Sequence, residues 1–424
     1  MIIEKSHTAQ EIIAKISDGA SKVDFISNTV LSKSLIYLEE QGIPNNKQED
    51  YKYFNAEAIL KKEFKNIKQD FIAVHNVDAF KLADTITLVV INGHYSEALS
   101  DKLILKGLHI QSFSNLDEKG RRLISSIADP ESDAFIALNT LFCGAGFYIK
   151  VENGTSLQIP IHILYVSATA TEALVNTRNF IELEEGAEAT VIEQQLVLGE
   201  GKLFTNYLSE KFVAKGARLK SYLFQNEGAQ GFSINTSQVK LDRDSHYDNM
   251  SITLSGQAVR NNHGVALAGQ NGEAHLNGLF VSNGSQLIDN HTLMDHQVPH
   301  CESNELYKGI ISGKSTGVFN GKIFVRKDAQ KTNAYQSSKN ILLSDDATIN
   351  TKPQLEIYAD DVKCSHGTST GKIDPEALFY LNSRGIGIES AKKLLLSSFA
   401  QEVTLKIDVD SLREHVTSLL EQKL

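Results

Sequence analysis

The feature that most constrains the fold is a succession of short segments, from about residue 155 to 360, in which apolar and polar residues alternate. Gly, Asn, Ser and Asp separate these segments. Strands at such even spacing are typical of a sandwich, a barrel or a β-helix. Small residues recur at similar offsets, as in GVALAGQNGEAHLNGLFVSNGSQ (264–286). This recurrence favours a solenoid of β-rungs, in which each rung buries its face on the next.

Helical patterns flank this region on both sides. Apolar residues recur at helical spacing within 1–65, and a further helix is expected at about 131–142. Near the other end, Asp374 followed by Pro375 predicts the start of a helix, and Gly385 predicts its end. The pattern predicts a mainly β protein whose β-helix core is flanked by helical regions at both ends.

We therefore divide the chain into three regions. Residues 1–150 form a mostly helical N-terminal region, residues 151–370 form the β-helix core, and residues 371–424 form a C-terminal helical region. The C-terminal helices are amphipathic, so their apolar faces need a cover. Two covers remain open at this point: the β-region of the same chain, or a partner chain.

Charge and composition exclude several classes of protein. The chain has 424 residues and a net charge of -10, without basic blocks, so it is a poor binder of nucleic acid or anionic membranes. The N-terminus lacks the pattern of a signal peptide. The longest uncharged apolar run, 134–149, is too short to cross a bilayer. We expect a cytoplasmic protein that has no nucleic-acid or membrane partner.

Three cysteines occur, Cys143, Cys301 and Cys364, and their number is odd and their spacing wide. This usage argues against a disulfide framework and fits a reducing compartment. Three dispersed thiols cannot supply the four thiolates that an iron–sulfur cluster takes from a single chain. Any metal bound here needs histidine, carboxylates or ligands from a second chain.

The segment GIISGKSTG (309–317) superficially resembles a phosphate-binding loop. Such a loop needs a glycine five residues before the Gly-Lys-Ser, but Lys308 stands there and Gly309 comes one residue late. A strand pattern follows, whereas a phosphate loop leads into a helix. We interpret the segment as a turn between two rungs.

Histidines cluster in 289–309, where His291, His296, His300 and Cys301 lie within eleven residues. Such groups can assemble a metal site. Their spacing matches no named metal motif, however, and the favoured interpretation is polar side chains bonded in turns and along a rung face. Both readings stay open on the sequence alone.

The sharpest candidate site is Cys364 with His366, in the segment YADDVKCSHGTSTG (358–371). On a strand, residues i and i+2 point to the same face, so the thiol and the imidazole are expected side by side. Both groups can ligate a soft metal or handle sulfur. Because buried cysteine is common in any core, the spacing by itself leaves a packing role open.

At this segment the sequence resembles a known family. Residues 329–386 closely resemble the SufB/SufD family of iron–sulfur cluster assembly proteins, as do DNHTLMDH (289–296), AFIALNT (134–140) and QGIPNNKQEDYKYFN (41–55). In the last stretch Tyr51 replaces the family's tryptophan. The runs TKPQLE and DDVKCSHG are typical of the SufD type, since SufB-like chains have Glu-His-Glu where this chain has Cys-Ser-His.

The resemblance implies a right-handed parallel β-helix between two helical regions. It implies that the C-terminal helices dock SufC, an ABC-type ATPase, and that the end of the β-helix meets SufB. Cys364 and His366 match the family's cysteine and histidine at that interface, near the nascent iron–sulfur cluster. The cluster would be transient and shared with the partner chain, and this chain alone would hold none stably. Whether a flavin takes part is left open.

Two alternatives differ in class from this non-enzymatic scaffold. Right-handed β-helices also host carbohydrate-active enzymes, which use carboxylates in a cleft. Asp289, Asp295, Asp360 and Asp361 are the candidates for such a role. The other alternative is a stand-alone binding module that forms a homodimer when no partner chain is present.

Overall fold

A computed structural model describes residues 2–17, 23–61, 64–66, 77–102, 105–169, 172–199, 201–228 and 230–424. Its helices are α1 (Ile2–Ser17), α2 (Asn28–Gln41), α3 (Ala56–Leu60), α4 (Glu118–Arg121), α5 (Ala134–Phe142), α6 (Pro375–Ser383), α7 (Ile388–Thr404) and α8 (Asp410–Lys423). Short 3-10 helices lie at Glu49–Tyr51, Val77–Phe80 and Phe113–Asn115.

The strands are short and lie mostly in the middle of the chain. They are β1 (Lys65–Asn66), β2 (Ile86–Ile91), β3 (His94–Ser96), β4 (Leu108–Ser112), β5 (Gly146–Val151), β6 (Ile161–Ala168), β7 (Ala173–Leu183), β8 (Glu188–Leu198), β9 (Leu203–Val213), β10 (Arg218–Asn226), β11 (Gly231–Leu241), β12 (His246–Ser255), β13 (Ala258–Leu267), β14 (Glu273–Ser282), β15 (Leu287–His296), β16 (Glu302–Ile311), β17 (Thr316–Val325), β18 (Asn333–Leu342), β19 (Thr348–Thr351), β20 (Gln354–Ile357) and β21 (Lys363–Gly371).

Successive strands alternate between two sheets, and this alternation winds the chain into a parallel β-solenoid of about eight turns. Sheet A runs in the order β19-β17-β15-β13-β11-β9-β7-β5-β4, and sheet B in the order β21-β18-β16-β14-β12-β10-β8-β6-β2-β3. Hydrogen-bonded side chains on adjacent rungs, such as Asn261 with Asn290 and Glu302 with Asn333, are 29 and 31 residues apart in sequence. The predicted solenoid is therefore confirmed, and the length of its repeat varies from rung to rung.

One corner of the solenoid repeats a left-handed backbone conformation from rung to rung. Gly186, Asp244, His300 and Lys331 each have a φ between +57° and +65°. The amide of each donates to a carbonyl of the next rung at 2.7 to 2.9 Å. Glycine adopts this conformation freely and Asn or Asp tolerate it, which is why those residues punctuate the sequence.

The interior between the sheets contains both apolar and polar layers. Amide side chains stack from rung to rung: Asn261 donates to Asn290 at 3.0 Å, and Gln225 donates to Gln195 at 3.0 Å. Such ladders satisfy polar groups that would otherwise be costly to bury. The register between rungs thus allows polar side chains in the interior of the solenoid.

The N-terminal helices cover the outer face of sheet A. Asp133 caps α5 by accepting from the amide of Phe135 at 2.7 Å, and the Phe135 ring stacks 6.0 Å from that of Phe204. Arg260 forms a buried ion pair with Asp289 at 2.7 Å and lies 4.0 Å over the Tyr51 ring. These contacts attach the N-terminal region firmly to the solenoid.

The C-terminal helices cover the opposite side, the outer face of sheet B. An apolar stripe of α7 (Leu396, Ala400, Val403) and one of α8 (Leu412, Val416, Leu420) are buried in a cluster with side chains of sheet B. Lys308, itself buried, pairs with Glu402 at 2.5 Å and donates to the Phe399 carbonyl at 2.7 Å. The β-region of the same chain is therefore the cover for α7 and α8.

Several local expectations are confirmed. A helix lies within 131–142, and Asp374 caps α6 by accepting from the amide of Glu376 at 2.9 Å. Strands β2 to β5 lie before residue 151 and already join the two sheets, so regular β-structure begins upstream of the expected core. The division of the chain at residues 150 and 370 stays a prediction. In the described parts of the chain, no helix has both the length and the apolar character to cross a bilayer.

A carboxyl group buried at the end of β10 makes the stability of this fold depend on pH. Burial raises the pKa of Glu227 to about 7, and one of its oxygens has no partner. The neutral form stabilises the fold fully below pH 4.5, and this contribution is lost as the pH rises through 7. We expect Glu227→Gln to gain up to about 3 kcal/mol over the parent chain between pH 5 and pH 8.

The measurement is the free energy of unfolding of both chains across that pH range. Glu188→Gln is the matched control, because the Glu188 side chain is half-exposed, at 51%. A pH-independent difference between Glu227→Gln and the parent chain contradicts the prediction.

Candidate interface site at the open end of the solenoid

The last strand of sheet B, β21, pairs with a neighbour on one side only. Its register with β18 runs from Lys363 opposite Asn333 to Gly371 opposite Ile341. Along its other edge no strand pairs with it within the described residues. All of its residues except Cys364 are exposed. The solenoid therefore ends in an open rung, which leaves main-chain donors and acceptors available for pairing.

Cys364 and His366 both occupy interior columns of this open rung. Cys364 is in register with Ala334 and His366 with Gln336, and these two partners are 0% and 3% exposed. Side chains in register on parallel strands share a face. Positions 364 and 366 therefore lie on the same face of sheet B as the buried residues Ala334 and Gln336. Cys364 is half-buried against the apolar core, whereas His366 is exposed.

The Cys364 thiol is not activated by this chain alone. Burial raises its pKa, and a hydrogen bond with the backbone of Ala334 opposes that effect only in part. The thiolate is the form that ligates metal or attacks sulfur. A metal ion or a cationic group brought by another molecule is what would stabilise it. The open rung thus offers two possible metal ligands that are accessible from outside: the soft sulfur of Cys364 and the borderline imidazole nitrogen of His366.

Beneath the open rung lies a buried polar column that sequence reasoning missed. Gln336 donates to Glu305 at 3.3 Å, and the Thr292 hydroxyl donates to Glu305 at 2.5 Å. Burial raises the pKa of Glu305 to about 7. In the sequence, Glu305 follows Asn304 and Gln336 precedes Ser337, so both lie in polar stretches that resemble solvated strand segments. The rung-to-rung register, which sequence alone does not supply, is what places them inside.

The histidine cluster does not assemble as one site. His291 pairs with Asp289 at 2.9 Å, and His296 bonds Ser303 at 2.9 Å inside the solenoid. Burial lowers the pKa of His296 to about 4. His300 stands at a left-handed corner, and Cys301 is buried. Among the described residues no group of three or more His, Cys, Asp or Glu is arranged to hold a metal ion.

Three of the four aspartates considered for glycan chemistry are engaged in ion pairs. Asp289 is held by Arg260, Asp295 pairs with Arg326 at 2.8 Å, and Asp361 pairs with Lys331. Asp360 lies in the bend before β21. Ion-paired carboxylates of this kind do not form the acid–base pair that a glycosidase needs.

The glycine-lysine-serine segment is a turn between rungs, as predicted. Gly313 has a φ of +65°, and the Ser315 amide donates to the Ser312 carbonyl at 3.2 Å. The Lys314 amide donates a hydrogen bond to the Gly284 carbonyl of the neighbouring rung at 2.7 Å. Its main-chain donors therefore serve the solenoid and not a phosphate.

A second exposed surface lies on the C-terminal helices. Phe379 and Tyr380 on α6 are 75% and 57% exposed, and Ile388 and Leu394 on α7 are 50% and 52% exposed. We call these four residues the α6–α7 surface. No residue of α6 is buried. Exposed aromatic and aliphatic side chains of this size can contribute to protein association.

Comparison with known proteins shows the family to which the chain belongs. A family model described as SUF system FeS cluster assembly, SufBD core domain, matches residues 165–399, and one for the SufBD protein N-terminal region matches residues 14–163. The iron–sulfur cluster assembly protein SufD of Escherichia coli is 33% identical over 389 residues, which cover 90% of each chain.

Two further relatives are more distant. The chloroplastic protein ABCI7 of Arabidopsis thaliana is 30% identical over 394 residues, covering 89% of this chain and 82% of that one. The SufD of Bacillus subtilis is 26% identical over 292 residues, covering 68% and 66%. These matches define the class: SUF-system proteins of iron–sulfur cluster assembly, named as assembly proteins and not as enzymes. The chain belongs to the SufB/SufD family and is of the SufD type.

The open rung makes Cys364 the most accessible thiol of the chain. Cys143 and Cys301 are both buried, and burial raises the pKa of the Cys143 thiol to about 11. We expect the native chain to take up a single maleimide, at Cys364, whereas the denatured chain takes up three. Mass spectrometry of the labelled chain measures this. Full labelling of native Cys364→Ser contradicts the position given to this thiol.

Proposed function

We propose that the chain is a non-enzymatic scaffold subunit that presents His366, with Cys364 beside it, to a nascent iron–sulfur cluster. The observation that carries this proposal is the open rung, where both residues continue interior columns at an unpaired edge. Two ligands are too few to hold a cluster, which takes four in its common forms. The cluster is thus a transient cargo whose remaining ligands come from a second chain.

The second chain is proposed to be SufB, bound through the end of the β-solenoid. A strand edge with free main-chain groups binds another strand by continuing the sheet. The exposed stretch from Ser365 to Gly371 consists of small residues and His366, so a facing backbone can approach closely. The free thiols and the acidic surface fit a location in the cytoplasm.

The α6–α7 surface is proposed to dock SufC, the ABC-type ATPase. Support comes from the different environments of the three helices. The apolar stripes of α7 and α8 pack on sheet B, whereas the aromatic side chains of α6 are exposed to solvent. The Gly-Lys-Ser turn serves the solenoid, so ATP hydrolysis falls to the partner subunit.

A homodimer is the second candidate assembly, favoured by the same unpaired edge of β21. Two copies can pair these edges around a twofold axis when no SufB is present. Both assemblies use the open rung, so they compete for it. The carbohydrate-active alternative is disfavoured by family membership and by the ion pairs that hold three of its four candidate aspartates.

The role of His366 can be tested in the assembled complex. Co-expressed with SufB and SufC, His366→Ala should give a complex with normal subunit stoichiometry and melting temperature but about tenfold less iron and acid-labile sulfide, because a ligand is lost. Cys364→Ala should lower both comparably if the thiol ligates, and little if it only packs. Stoichiometry, melting temperature, iron and sulfide are measured on the same purified sample.

His109→Ala is the matched control, because His109 is an exposed histidine that pairs with Glu152 at the far end of sheet A. Normal iron in an intact His366→Ala complex removes His366 from the site. Loss of complex assembly instead assigns the residue to interface packing.

The role of the α6–α7 surface can be tested by replacing its exposed aromatic residues. The double variant Phe379→Asp and Tyr380→Asp should lose SufC in a pull-down yet keep its melting temperature, since α6 buries no side chain. Deleting everything after residue 373 is a poorer test, because it strips the apolar cover from sheet B. Leu35→Asp with Ile36→Asp, on exposed positions of α2, is the control. Undiminished SufC binding would disprove the docking surface.

A further inference from the structure

Gln336 lies directly behind the candidate ligand His366. It stands on β18, its register partner on β21 is His366, and it is 3% exposed. Its neighbour on the inner side of the same column is Glu305, on β16. The side chain is thus a buried amide between an internal carboxyl group and an exposed imidazole.

The amide of Gln336 is fixed from two sides. Its Nε2 donates to Glu305 Oε1 at 3.3 Å, and Glu305 is itself held by the Thr292 hydroxyl at 2.5 Å. On the facing sheet, Gly321 leaves the space that the amide occupies, because a Cβ there would collide with Nε2. The orientation of the amide is therefore set by the interior and does not depend on His366.

The Gln336 Oε1 atom is buried and has no hydrogen-bond partner. An unpartnered buried acceptor is unfavourable, and native structures seldom leave one without a donor. Glu305 already accepts from the Nε2 atom of the same amide. The next member of the column is His366, whose ring is exposed and is not bonded to Gln336 in this structure.

We infer that Gln336 is a positioning residue, whose Oε1 accepts a hydrogen bond from a ring N–H of His366 when the imidazole turns inward over the open rung. The inference rests on the proposed role of His366. The bond fixes one tautomer, so the other ring nitrogen keeps its lone pair and faces the open end. A neutral imidazole held in this way is the usual form of a metal-ligating histidine.

The test is the tautomer ratio of His366 in the full chain, measured by nitrogen-15 NMR at a pH where the ring is neutral. Its signals are assigned by their loss in His366→Ala. We expect the ratio to change about fivefold in Gln336→Leu, which has no acceptor, as one neutral hydrogen bond is removed. Gln336→Glu keeps an acceptor and should retain the parental preference for one tautomer.

Asn340→Leu is the matched control, since Asn340 is a buried amide on the same strand with an unpartnered oxygen, but its partner on β21 is Thr370. Gly321→Ala displaces the amide without altering Gln336 and should reproduce the effect of Gln336→Leu. It keeps the inference testable if Gln336→Leu does not fold. An unchanged ratio in whichever of the two variants folds overturns the inference, as does an equal change in Asn340→Leu.

Iron content of the co-expressed complex separates this inference from the proposed function. If the tautomer ratio shifts in Gln336→Leu but His366→Ala retains normal iron, Gln336 positions the ring and the proposed cluster site is wrong. If His366→Ala loses iron while the tautomer ratio is unaffected by Gln336→Leu, the cluster site stands and Gln336 has no positioning role.

Discussion

Parallel pairing of successive rungs in register is the constraint on which the rest of this structure depends. Each interior side chain lies over the one about one rung earlier, so a buried polar residue is stabilised where a neighbour in its column or on the facing sheet bonds it. The pairs Asn261–Asn290 and Gln225–Gln195 are such neighbours within a column, whereas the buried ion pair of Lys211 with Glu193, at 2.8 Å, joins the two facing sheets. Inside the solenoid, the column determines which residue types are tolerated.

The same constraint separates what sequence could predict from what it could not. The cap of α6 at Asp374 and Pro375 was predictable, because the interaction that makes it is confined to a few neighbouring residues. The solenoid was predictable from recurring strands and small residues. The positions of His296 and His300 were not predictable from the sequence. His296 faces the interior and His300 lies at a corner because of the register between rungs.

The candidate site shows this division most clearly. That Cys364 and His366 share a face follows from the period of a strand, and the family resemblance singled them out. That Gln336 and Glu305 lie behind them follows only from residues about thirty and sixty positions away being brought into one column. Alternating polar residues in a strand usually indicate solvent, and here they line a buried interior.

In a solenoid every strand pairs with neighbours on both sides except at the two ends, where main-chain groups are left unpaired. The N-terminal helices pack on one outer face and α7 and α8 pack on the other. The rung that carries β21 has neither a following rung nor a helix over its edge in the described chain. Two of its interior columns end at Cys364 and His366, whose side chains are of types that can ligate a metal. The place where the repeat stops is therefore also the place where another chain can complete both the sheet and a ligand set.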